Sequence, residues 1–353
     1  MRHCEFFCIF AAMNNRKQHR TSLKDLAKEL NVSIATVSRA LRSSSEIGHE
    51  MQEKVKALAK LRNYRPNPFA QSLRKEAPKI IGVVLPNLVT HYYAAVLDGI
   101  EDEAKRSGYS VISANSHESF DIETQAIDNF INLHVEGIIA CLSQSTTDYS
   151  HFEEIAEMGI PLVFFGRTCL KERFSCVTAN GDQAAQMATQ HLIDTGSRRI
   201  AFIGGPNHLD MVQRRKHGYL EALRENQIPI ERELVKCGSI DYDAVLSNTV
   251  TLLKEQKPDA IVAFNDIITF AAFNAIREAG LRIPDDVALI GFTDDVHAAF
   301  VTPQMSAIVD QAHQMGATAC QLLLKNIAGD TGVYHKIVPQ KLVIRGTSAK
   351  KPQ

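Results

Sequence analysis

From Lys79 onward the chain is a train of short apolar runs, each followed by a helical stretch, and this feature constrains its fold most. KIIGVVLPN, YSVISANS, EGIIACL and PLVFFG are rich in β-branched residues, and stretches such as YYAAVLDGIEDEAKRSG and ETQAIDNFINLHV separate them. After Asn180 the alternation returns through QAAQMATQHLIDTG, RRIAFIGGP, QRRKHGYLEALREN, DAIVAFND, FAAFNAIREAG and VALIGF. The runs are apolar along their length instead of alternating with polar residues. They therefore predict strands buried on both faces, in parallel sheets covered by helices. About ten strand signals are too many for one comfortable sheet, so two α/β subdomains are expected. A ligand would then sit in the cleft at the carboxyl ends of the strands.

The segment before Lys79 has another character. Thr21 and Ser22 can cap a helix at LKDLAKEL, with Leu23, Leu26, Ala27 and Leu30 on one face. Asn31 can adopt a left-handed backbone and end it, and Ser33 can cap the next helix, IATVSRAL. A third helix is expected through EMQEKVKALAKLRNY, stopped by RPNP. Two short helices with a tight turn between them are a helix-turn-helix pattern, whose second helix can lie in the DNA major groove. An ordinary helical hairpin accounts for Val32, Val37 and Leu41 as core. It does not account for a face of Ser33, Thr36, Ser38 and Arg39.

Charge supports the nucleic-acid reading. The whole chain carries a formal charge of only −1. Residues 16–75, however, hold fourteen Lys/Arg against five Asp/Glu, or +9, leaving 25 against 35, or −10, on the rest. Such asymmetry points to a polyanion-binding module on a neutral-to-acidic body. Seven cysteines are scattered singly with no CxxC pair, and no HExxH occurs, so disulfides and a metal site are not expected; this suits a reducing cytoplasm. No cofactor is expected either. No GxGxxG or GxxxxGK[ST] stands at a strand–helix junction, no GxSxG occurs, and IGGP is a strand-end turn. The first residues, MRHCEFFCIFAAM, are interrupted by Glu5 and followed by basic NNRKQHR, which argues against a signal peptide; Met13 is an alternative start. No run of membrane length occurs elsewhere.

LKDLAKELNVSIATVSRAL, LRNYRPNPFAQSLR and IIGVVLPN together resemble the amino-terminal region of the LacI/GalR family of bacterial transcription regulators. The resemblance continues through GYSVISANS, VEGIIAC, HLIDTGSRRIAFIGGP, FNDIITFAAFNAIREAGLRIPDDVALIGF and TPQMSAI. It implies a helix-turn-helix headpiece on a periplasmic-binding-protein-like body of two parallel-sheet subdomains. The expected limits are a disordered tail at 1–20, the headpiece at 21–66 and a hinge helix or linker at 67–77. An effector-binding and dimerisation domain then spans 78–353, with one subdomain near 78–179 and 310–338 and the other near 180–309 and 339–348. It further implies a cytoplasmic homodimer or tetramer on a pseudo-palindromic double-stranded operator, controlled by a small molecule of sugar type, with no membrane role.

Residue by residue, the resemblance places Leu23, Ser33, Ile34, Ala35, Thr36, Ser38 and Arg39 at the DNA, with Ile34 and Ala35 setting operator preference through apolar contacts. Tyr64 and Asn67 match the approach to the hinge. Ala70, Gln71, Leu73 and Arg74 match the hinge helix, where Leu73 would wedge into the minor groove. His91, Tyr92 and Tyr93, then Arg167, Arg215, Asn265, Asp266, Thr293 and Asp294, fall at the effector site. The chain departs from the family pattern at Thr293, where many members have Asp, and at Gly166. Leu209 and Met211 stand where purine-binding members carry polar contacts, which argues against a purine. A solute-binding protein and an α/β enzyme are the rival classes. The basic headpiece opposes the first, and the lack of a catalytic constellation opposes the second. A partner protein is the alternative to a small-molecule effector.

Overall fold

The computed structural model describes residues 21–64, 79–293 and 295–349, and the chain divides after residue 78 into two compact units. In the first, helices α1 (Leu23–Glu29), α2 (Ile34–Leu41) and α3 (His49–Leu61) enclose a small core of Leu26, Ala27, Val37, Ala40, Val55 and Ala59. Each start and stop has a local cause. Ser22 and Asp25 form a capping box, in which Ser22 N donates to Asp25 Oδ2 at 2.8 Å and Asp25 N donates to Ser22 Oγ at 3.3 Å. At the other end Asn31 is left-handed (φ 51°), as the sequence predicts. Val32 N donates to Ala27 O at 3.0 Å and Asn31 N to Lys28 O at 3.3 Å, so the last carbonyls of α1 are satisfied within the turn. Ser43 after α2 and Asn63 after α3 repeat this left-handed stop.

The second unit contains two six-stranded sheets. The first has the order β11-β5-β4-β3-β1-β2 and is parallel throughout. Its strands are β1 (Ile80–Leu85), β2 (Ser110–Asn115), β3 (Gly137–Ala140), β4 (Leu162–Phe165), β5 (Ser175–Ala179) and β11 (His335–Val338). The second has the order β12-β10-β9-β8-β6-β7, with only the β10–β12 pair antiparallel. It comprises β6 (Ile200–Gly204), β7 (Val235–Cys237), β8 (Ala260–Ala263), β9 (Ala288–Phe292), β10 (Ser306–Val309) and β12 (Lys341–Val343). Each sheet separates two apolar clusters, as the unbroken runs IIGVVL, AIVA and ALIGF require.

Helices α4 (His91–Arg106) and α12 (Ala312–Ile327) cover one face of the first sheet, and α5 (Phe120–Asn132) and α6 (Ser150–Glu157) the other. For the second sheet the pairs are α7 (Gly181–Asp194) with α8 (Asp210–Glu225), and α9 (Tyr242–Gln256) with α10 (Asp266–Glu278). A short helix, α11 (Asp295–Phe300), follows β9. The chain passes between the sheets after β5, after β10 and after β11. The second and third crossovers are tied together: Gln311 Nε2 donates to Pro339 O and Gln340 Nε2 to Asp310 Oδ1, both at 2.6 Å. No helix among the described residues is long and apolar enough to cross a membrane.

Candidate functional site

Parallel strands bring the loops at their carboxyl ends to one side of each sheet, and those loops line a cleft of about 1290 Å³. Asn87, His91, Ser143 and Arg167 come from the first sheet's loops, and Leu209, Asn265 and Thr293 from the second's. Arg215, on α8, is 5% exposed and projects into the cleft wall. Its guanidinium lies 3.8 Å from the Phe292 ring centroid and 4.9 Å from that of Phe264. Nη1 donates to Phe264 O, and Nη2 lies 3.8 Å from Asp310 Oδ2. Among the described residues Arg215 Nε has no hydrogen-bond partner, and neither does Oγ1 of Thr293, which is also 5% exposed. Buried polar atoms are rarely left so, and both residues line the cleft. Burial pushes the Arg215 pKa down while Asp310, Tyr92 and Asp266 oppose that; the same burial pushes the Asp310 carboxyl up against the pull of Arg215.

The opposite wall is held by another guanidinium. Arg167 makes a bidentate pair with Glu118, both contacts at 2.7 Å, and donates from Nη2 to the Tyr93 hydroxyl at 2.9 Å. Glu118 Oε2 also accepts from Gln144 N at 2.7 Å, which fixes the loop after β3. Beneath that loop Glu123, fully buried, accepts from Ser143 N at 2.5 Å and Thr146 Oγ1 at 2.8 Å, with His151 Nε2 at 3.1 Å. Burial alone raises the Glu123 pKa, but these hydrogen bonds bring it below the usual carboxylate value. Tyr92 donates to Met315 Sδ at 3.0 Å, and burial raises both the Tyr92 and Tyr93 phenols, so they stay neutral. His91 meets His297 edge-on, with centroids 6.0 Å apart, linking α4 to α11.

The structure thus gathers His91, Tyr92, Tyr93, Arg167, Arg215, Asn265, Asp266 and Thr293 around one cavity; Asp294 lies outside the described residues. Their duties differ. Asn265 Oδ1 is committed to capping α10 through Ile268 N at 3.0 Å. Gly166 has φ 62°, a left-handed conformation that glycine adopts without steric cost. Leu209 and Met211 line the cleft with apolar surface. Glu118, Asp310, Phe264 and Phe292 were not singled out by the sequence. A carboxylate directly after β2's turn and another in the crossover after β10 were the only available signals.

In the first unit, the amino end of α2 is its exposed part. Ser33 caps the helix, accepting from Thr36 N at 3.0 Å and sharing a 2.8 Å contact with Thr36 Oγ1. Ile34 is 45% exposed, Ala35 and Arg39 are exposed, and Arg39 pairs loosely with Glu46 at 3.1 Å. Ser38 departs from the expected face. It is 8% exposed and accepts from Arg42 Nη2 at 2.9 Å, because it shares the inward side of α2 with Val37 and Leu41. Leu23 and Tyr64 pack against the headpiece core. Asn67, Ala70, Gln71, Leu73 and Arg74 lie outside the described residues. Among the described residues no group of three His, Cys, Asp or Glu is arranged to hold a metal ion.

Comparison with known proteins agrees with this geometry. Residues 22–67 match the model of bacterial regulatory proteins, lacI family, and residues 189–348 match that of a periplasmic binding protein-like domain. The ribose operon repressor of Bacillus subtilis (strain 168) is 34% identical over 305 residues, 86% of this chain and 90% of that protein. The chain belongs to the LacI family. Catabolite control protein A of Priestia megaterium is 31% identical over 316 residues, 88% of this chain and 93% of that protein. Among solved structures, a complex of the transcriptional regulator CelR with cellobiose superposes with a TM-score of 0.70 at 28% identity, covering 93% of this chain and all of that one (100%). This LacI-family regulator therefore joins a DNA-binding helix-turn-helix region to a two-subdomain α/β body, in a family of repressors whose DNA binding is effector-controlled.

Proposed function

We propose that this regulator is a cytoplasmic, homodimeric repressor, without catalytic activity, whose affinity for a pseudo-palindromic operator is set by a sugar bound between the two sheets. The observation that carries this reading is one cavity between two halves joined by crossovers, lined by Arg215 and Thr293, whose Nε and Oγ1 are buried and have no hydrogen-bond partner among the described residues. A ligand there touches both halves and favours whichever arrangement it binds better; only that difference in affinity moves the equilibrium. The aromatic and aliphatic lining beside hydroxyl-binding groups suits a carbohydrate. The named ligands of relatives, ribose in one repressor's name and cellobiose in one complex, are of the same class.

On the DNA side, Ser33, Ile34, Ala35, Thr36 and Arg39 form the face that meets the major groove, with Ser38 bracing α2 from within. Leu23 and Tyr64 support its edges. Asn67, Ala70, Gln71, Leu73 and Arg74 would form the hinge contacts. Ile34 and Ala35 offer methyl contacts, which suit thymine, and basic side chains supply salt-dependent phosphate affinity. The domain limits given above follow the same division: headpiece to 66, hinge to 77, effector body beyond.

A thermal-shift screen of the full chain against free sugars tests the effector half. A true effector at a hundred times its dissociation constant adds about 2.7 kcal/mol, or a rise in melting temperature of roughly 5–10 °C for a body of this size. The rise should be dose-dependent. Flat melting curves across ribose, glucose, galactose and cellobiose at millimolar concentration would count against the sugar reading.

A further inference from the structure

The charges lining the cleft say more than that a polar ligand fits. Among the described residues its Lys and Arg are Arg167, Lys171, Arg214 and Arg215, and its carboxylates are Glu118, Asp182, Asp210, Asp266 and Asp310. Each guanidinium is already matched. Arg167 is held by both oxygens of Glu118 at 2.7 Å. Arg214 meets Asp210 at 2.8 Å and Asp182 at 3.4 Å. Arg215 lies 3.8 Å from Asp310 and feels the charge of Asp266. Lys171 has no carboxylate partner among the described residues, and it is half-buried, so water still solvates it in part. At any of these three guanidiniums a ligand's carboxylate or phosphate would have to displace a protein carboxylate, or sit beside it and be repelled. A hydroxyl group meets no such conflict. It carries no charge, and it can donate to a carboxylate oxygen while that carboxylate keeps its arginine.

We propose that the carboxylates paired with its arginines make this cleft select a neutral polyhydroxyl effector over the corresponding acid or phosphate, with Asp310 as the specificity-determining residue. Asp310 is singled out by its place. It stands in the crossover after β10, accepts from Gln340 Nε2 at 2.6 Å in the crossover after β11, and faces the most buried cation of the site. The carboxylate thus both compensates Arg215 and ties ligand-binding groups to the segments that join the sheets. The inference rests on the effector reading above and narrows it.

The test is a set of titrations on the full chain with matched probes. Glucose is compared with glucuronate and glucose 6-phosphate, galactose with galacturonate, and ribose with ribose 5-phosphate. The expected result is that the tightest probe is neutral and binds at least tenfold more tightly than its anionic counterpart. Asp310→Asn should cut that preference at least tenfold, by weakening the sugar and strengthening the acid. Glu118→Gln should act in the same direction through Arg167, and serves if Asp310→Asn does not fold. An anion that binds as well as its neutral parent to the unaltered chain overturns the inference and leaves the effector reading standing. A preference unmoved in a folded Asp310→Asn protein overturns the role of Asp310. Failure of every probe, charged or neutral, overturns the effector reading and this inference with it.

Discussion

Arg215→Ala is expected to abolish the response of DNA binding to the effector while leaving effector-free DNA binding within about twofold. The side chain is stacked against Phe264 and Phe292, anchored on Phe264 O and set opposite Asp310, in the lining of the cavity. Alanine removes the donor and the aromatic-stacked plane together and leaves Asp310 without its cation. A charge-assisted hydrogen bond is worth about 1.5–3 kcal/mol, and loss of packing adds to it, so effector affinity should fall roughly a hundredfold or more. Arg215→Lys separates charge from shape. A lysine keeps the cation but has neither the planar fork nor Nε, so it should restore stability better than it restores binding. Fluorescence titration of labelled operator, with and without effector, reads both quantities. An Arg215→Ala protein with an unchanged response curve would remove Arg215 from the effector site.

Gly316→Ala is expected to destabilise the body more than any other single-methyl change described here. On α12, a β-carbon at Gly316 would come within 1.9 Å of Val96 O on α4, and one at Gly99 on α4 would come within 2.0 Å of His313 O. Both obstacles are backbone, so no rotamer change relieves them and the two helices must separate. The gain in helix propensity, about 1 kcal/mol, is too small to offset this. Overpacking in a tight core costs roughly 1–3 kcal/mol and more where backbone must move, or about 5–10 °C in melting temperature. The effect should reach the cavity, because α4 carries Tyr92 and Tyr93 and α12 carries Met315. Gly238→Ala is the control. Nothing lies within 4 Å of its added methyl, so its melting temperature should not move by more than a degree or so, in keeping with surface substitutions. Calorimetry on the two variants decides the point, and equal melting temperatures would show that α4 and α12 can part without cost.

Much of the fold was legible because its causes are local or periodic. Asn31 announces a left-handed stop, Ser22 and Ser33 announce caps, and most unbroken apolar runs announce a strand buried on both faces; YSVISANS does not, because β2 stands at the sheet edge and none of its residues is buried. The site was legible where a strand end carries it, as at Asn265 and Thr293. It was not legible where the charge balance is made across the chain. Glu118 meets Arg167 over 49 positions, and Asp310, just past the end of β10, meets Arg215 from far along the chain. No spacing rule joins such pairs, so the cations were visible in the sequence and their counter-ions were not. Ser38 shows burial that side-chain type does not reveal. Its chemistry suggested a DNA contact, but it lies one residue past Val37 and three before Leu41, on the buried side of α2. Helical phase decided its place over side-chain type.

The central claim is that one ligand cavity governs one DNA-binding activity. The most direct measurement selects duplexes from a random-sequence pool with the full chain, then titrates the enriched duplex with and without the sugar that raises the melting temperature. The account expects an enriched inverted repeat whose affinity changes at least tenfold when the cavity is saturated. An enriched site whose affinity the sugar leaves unchanged, or no enriched site at all, would contradict it.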